Sequence, residues 1–69
     1  MSNEERLGDQ YEEGQQFIVN ETNTKGIPIG TVVTWTGRDE WFCGMGYVSW
    51  VVMPDGSHQY LRNYWLKPV

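Results

Sequence analysis

A small all-β domain, five short strands forming a partly open barrel, is the fold this sequence predicts. Three observations lead there. The chain is only 69 residues long yet carries four Trp, four Tyr and two Phe, enough aromatic bulk to fill a small core. Its apolar runs are short, rich in β-branched and aromatic residues, and separated by Gly- and Pro-containing turn signals. One of those separators is Pro54-Asp55-Gly56, a hairpin turn signature between two such runs. Five strands in about 53 residues cannot build two full sheets, so a single curled sheet is the economical arrangement.

The elements follow in order. Residues 1–16, "MSNEERLGDQYEEGQQ", hold few apolar groups and two glycines, and read as a flexible acidic tail. Ser2 and Glu5 fit a capping box, which allows a helical turn over residues 3–7 that Gly8 would stop. The barrel is expected over residues 17–69. "QFIVNE" is the first strand and "TNTKGIPIG" a long loop, in which Pro28 removes a backbone donor and holds Ile27 extended. Gly30 supplies a bend of positive φ as the second strand begins. In "TVVTWT", Val33 and Trp35 share the face expected to be core.

"GRDEWFCGMG" reads as a loop or irregular ribbon, with Cys43 a small buried apolar group. "YVSWVVM" is the third strand, with Val48, Trp50 and Val52 on one face, and "HQYLR" returns after the hairpin. "NYW" fits one 3₁₀ turn, and "LKPV" closes as a short edge strand.

Charge and cysteine usage exclude several classes. The net charge of −4 sits in residues 1–16, where Glu4, Glu5, Asp9, Glu12 and Glu13 face Arg6 alone; residues 17–69 balance to zero. A neutral body with an acidic lead is poorly suited to nucleic acid, whose binding rests on neutralising phosphates. Cys43 is the only cysteine, so no intrachain disulfide is expected; with His58 it is too little for a zinc site. No cofactor is implied. The longest apolar run, Tyr47 to Met53, is interrupted by Ser49 and far below the ~18 residues of a membrane span. With no signal peptide, a reducing cytoplasm is the expected setting.

The order strand, long loop, strand, loop, strand, tight hairpin, strand, 3₁₀ turn, strand resembles an SH3-like barrel. Gly30 followed by Val33 and Trp35 matches the entry to that family's second strand, and "YLRNYWL" its run through the 3₁₀ turn. More narrowly, "IPIGTVVT", the "DGS" hairpin and the closing "WLKPV" are similar to small SH3-like proteins of tailed bacteriophages. The resemblance implies a short accessory protein acting in the host cytoplasm on a host or viral protein, as a monomer or weak dimer. "FIVNETNTKG" lacks the aromatic first strand and acidic loop of signalling SH3 domains, so polyproline binding is not implied.

Trp41, Phe42, Tyr64 and Trp65 are the candidate partner-binding residues, an aromatic groove rimmed by Arg38. Each also has a plain reading as core, and Arg38-Asp39-Glu40 as a solvated loop. His58 has only Ser57 and Asp55 nearby in sequence, and no nucleotide, metal or nucleophile motif occurs, so no catalytic residue is assigned. Three functions remain. The first is a non-enzymatic protein-binding module. The alternatives are a nucleic-acid-associated barrel stacking bases on its aromatics, or inhibition by an acidic nucleic-acid-mimic arm, and thirdly a virion assembly component.

Overall fold

The computed structural model describes residues 6–69. It is all-β: β1 (Gln16–Val19), β2 (Val32–Phe42), β3 (Gly46–Val52), β4 (His58–Arg62) and β5 (Leu66–Pro68), with 3₁₀ turns at Leu7–Asp9 and Asn63–Trp65. All pairings are antiparallel, and the strands form one sheet in the order β4-β3-β2-β1-β5. Among the described residues, no helix is long and apolar enough to cross a membrane.

The connection between β4 and β5 dictates the shape. These are the two edge strands, and a flat sheet would hold them four spacings, about 19 Å, apart. Only Asn63, Tyr64 and Trp65 separate them, in a turn that rises about 2 Å per residue. The sheet must therefore curl until its edges approach, which encloses one face. That face carries Phe17, Val19, Val33, Trp35, Val51, Leu61 and Trp65, all buried in one cluster. Phe17 sits edge-on to both Tyr11 and Trp35. Complete burial of such side chains is worth roughly 1.5–3 kcal/mol each. The expected Val33/Trp35 core face, the PDG hairpin, the NYW turn and the closing strand are all present.

The stretch entering β2 is built as its sequence demands. The N–H of Thr31 bonds the carbonyl of Pro28 across a turn, and Gly30 takes φ +101°. The N–H of Gly30 reaches back to Val19, tying the long loop to the end of β1.

Three expectations are corrected. First, residues 6–16 are not a flexible tail. Leu7 is buried in the core cluster and Tyr11 packs against it. Gly14 donates to the carbonyl of Trp35, and Trp35 donates to Gln15. The scarcity of apolar residues in this segment is offset by placing the few it has on Trp35 and Phe17. Gly8 does not stop a turn but lies inside one; the turn expected over residues 3–7, with its Ser2–Glu5 box, lies outside the described residues except for Arg6 and Leu7.

Second, of residues 37–46, read as a loop or irregular ribbon, only 43–45 form a turn and the rest lie in strands. β2 runs on to Phe42, bent where four steps from Trp35 to Asp39 oppose two steps from Val51 to Ser49. Gly37, at φ +93°, lies within this bulge. The bulge carbonyl of Arg38 accepts the indole N–H of buried Trp35. Beyond it, β2 pairs with β3 alone, since β1 ends its pairing at Thr34.

Third, Cys43 is exposed in the short hairpin turn between β2 and β3, not buried.

Candidate functional site

The five residues expected to form one groove are dispersed by the period of two along β2. Trp41 and Phe42 are neighbours on a strand and so point to opposite faces. Trp65 is 5% exposed and belongs to the core. Its burial is corrective: an indole seated under the curl of the sheet has no surface to offer a partner. Tyr64, 42% exposed, stands edge-on to Trp65 and near Arg62. Arg38 is on β2, not in a loop. The structure thus yields two aromatic patches.

The first patch centres on Trp41, 56% exposed. Its ring lies edge-on to Tyr47 at 5.1 Å, the cross-strand partner in the β2–β3 register. The guanidinium of Arg6 lies 6.0 Å from the Tyr47 ring centre. Asp39 explains why Arg6 is there. Its carboxylate, expected in a solvated loop, is 3% exposed and accepts the N–H groups of Leu7 at 2.7 Å and Gly8 at 3.3 Å. It also lies 3.6 Å from Arg6. One carboxylate therefore docks the N-terminal turn beside Trp41 and Tyr47.

The second patch covers the outer face of β2, β3 and β4. Register places Trp50 opposite Tyr60, and Val48 between Glu40 and Arg62. Trp50 is edge-on to Tyr60 at 5.2 Å, and Phe42 stacks on Tyr60 at 6.4 Å. This layer accounts for Val48, which is fully buried although it points away from the core. Cations cap the rings: Arg38 lies 5.1 Å from the Trp50 ring centre, and the Lys25 ammonium 3.6 Å from that of Tyr60. Arg38 is also paired with Glu40. Two buried donors here, Trp50 Nε1 and Arg62 Nε, have no acceptor among the described residues. Beside Lys25, between the long loop and the 53–57 hairpin, lies an open cleft of about 590 Å³ that Met53, Asp55 and Gln59 help to line.

Trp50, Tyr60, Lys25 and Arg62 were not among the expected site residues. The signal for two of them was present: a hairpin closed at Pro54-Asp55-Gly56 pairs 52 with 58, hence 50 with 60. His58 is exposed at the start of β4. Among the described residues, no three His, Cys, Asp or Glu side chains cluster closely enough to hold a metal ion. Compared with known proteins, the chain matches no family model, no curated sequence and no solved structure.

Proposed function

We propose that this chain is a non-enzymatic protein-binding module that docks on another protein through a patch centred on Trp41. The observation that carries this reading is the contrast among its tryptophans. Trp35 and Trp65 are buried at 2% and 5% exposure, whereas Trp41 presents 56% of its surface to solvent. Trp, Tyr and Arg dominate the energetics of protein interfaces, and Trp41, Tyr47 and Arg6 bring one of each together. Among the described residues, the distal half of β2 that carries Trp41 also has one edge without a strand partner, the kind of edge an extended segment can join.

The order of elements, with a long loop after β1 and a 3₁₀ turn before β5, supports the SH3-like resemblance. By that resemblance, the chain acts as a phage accessory protein on a host or viral target in the bacterial cytoplasm. The experiment is affinity capture with tagged protein from bacterial cytosol, wild type beside Trp41→Ala. A stoichiometric partner is expected with the wild type. Its affinity should fall about 30-fold in the variant, the equivalent of ~2 kcal/mol. A partner retained equally by both proteins would refute the assigned surface.

A further inference from the structure

The outer face of β2, β3 and β4 is rich in donors and poor in acceptors. It holds Arg38 over Trp50, Lys25 over Tyr60, and Arg62 opposite Val48 with its guanidinium near the Tyr64 and Trp65 rings. Glu40 is the one carboxylate that strand register places among them, and it is already taken by Arg38. Two N–H donors of this face, Trp50 Nε1 and Arg62 Nε, are buried with no acceptor among the described residues. A buried donor left unpaired costs roughly 1–3 kcal/mol. The aromatic layer adds a dry floor that strengthens any charge-assisted hydrogen bond made above it.

We propose that this face is a second binding site, separate from the Trp41 patch, and that it takes an acidic extended segment of a partner polypeptide. Carboxylates of that segment pair with Lys25, which reaches Gln59 Oε1 at 3.4 Å, and with Arg62, whose Nη1 reaches the Tyr64 hydroxyl at 3.5 Å, replacing long neutral contacts by charge-assisted ones. The face already demonstrates the contact, since Glu40 lies against Arg38 while Arg38 covers Trp50. A guanidinium lying over a ring keeps its in-plane N–H groups available to a carboxylate. The cleft beside Lys25 gives the segment room to continue past the β3–β4 hairpin.

Charge distinguishes a short acidic peptide from a nucleic acid. Base stacking needs open ring faces, and here Arg38 and Lys25 lie over them. A long phosphate chain would also carry far more charge against the net −4 of the chain than a short peptide does.

The test is a titration of the whole chain with fluorescein-labelled oligoglutamate, beside labelled oligothymidylate, at low and moderate salt. Anisotropy reports binding, and the indole N–H resonance of Trp50 reports its place. Saturable binding of oligoglutamate is expected, weakened by salt, with a shift of the Trp50 indole signal. Lys25→Gln with Arg62→Gln should weaken it at least about tenfold, and Trp41→Ala should leave it unchanged. If the double variant does not fold, Lys25→Gln alone carries the test, because Lys25 is exposed on a loop, and Lys25→Arg should restore binding. A flat oligoglutamate titration overturns the proposal. So does saturation by oligothymidylate alone, or binding that survives neutralisation of Lys25 and Arg62. Loss in Trp41→Ala would move the peptide to the first patch and equally overturn it.

Discussion

The two faces of the β2–β3–β4 sheet are built from similar residues and do different things. The inner face holds Trp35, Val51 and Leu61, each at most 2% exposed. Its polar groups are partnered: the Trp35 indole donates to Arg38, and Ser49 Oγ donates to Asn63 Oδ1 at 2.6 Å. The outer face holds Phe42, Trp50 and Tyr60, half-buried, with cations over the rings and two buried donors that find no acceptor among the described residues. A face that only needed to hold the fold would be finished in the manner of the inner one. The difference separates a surface completed by the chain itself from one that lacks its acceptors.

The sharpest way to break that comparison is to truncate an indole on each side. Trp35→Ala should cost about 3–5 kcal/mol, the range for a large core residue replaced by a small one. For a domain of this size that approaches the whole stability, so urea titration should find the variant largely unfolded. Trp50→Ala should cost about 1–2 kcal/mol, because its ring stands at the surface and its packing is chiefly against Tyr60 and Arg38. Equal losses would mean that the outer layer is a second core.

The next largest effect concerns the inner face's unexpected contributor. Leu7→Ala should lower stability by about 2–3 kcal/mol, near the low end for a buried leucine because the site lies at the rim of the core. Asp39→Ala should follow at about 1–2 kcal/mol, through the loss of acceptors for Leu7 and Gly8. Denaturant midpoints that do not move in either variant would return residues 6–16 to a mobile tail.

These cases show what was legible in the sequence. The alternation in "TVVTWT" and the Pro54-Asp55-Gly56 turn depend on local geometry, and both are in place. The N-terminal turn depends on Asp39, 32 positions from Leu7, and no composition argument reaches that far. The bent β2 was hidden for a similar reason. Glycines at 37, 44 and 46 look alike in sequence, but Gly37 bends a strand while Gly44 lies in the hairpin turn and Gly46 opens β3. Of the four aromatic site candidates, Trp41 is the most exposed. Its supposed neighbours were assembled by residue type, whereas the period of two sends Phe42 to the far side and the closing turn buries Trp65.

The smallest expected effect lies at the exposed hairpin joining β3 to β4. Asp55 accepts both the backbone N–H of Ser57 at 2.9 Å and its hydroxyl at 2.7 Å. The Ser57 hydroxyl bond, then its backbone bond, hold the Asp55 carboxyl below its ordinary value of 3.8. A carboxylate with a depressed folded value stabilises the fold above its ordinary value, and that contribution fades as pH falls through the lowered one. Asp55→Asn keeps an acceptor but removes the charge. Its thermal midpoint should lie slightly below the wild type near neutrality, and the gap should close on acidification through the range below 3.8. The gap between wild type and Trp35→Phe, which involves no titrating group, should stay constant over the same range. A gap for Asp55→Asn that stayed equally constant would show that the hairpin, like the inner face, is held by shape and not by charge.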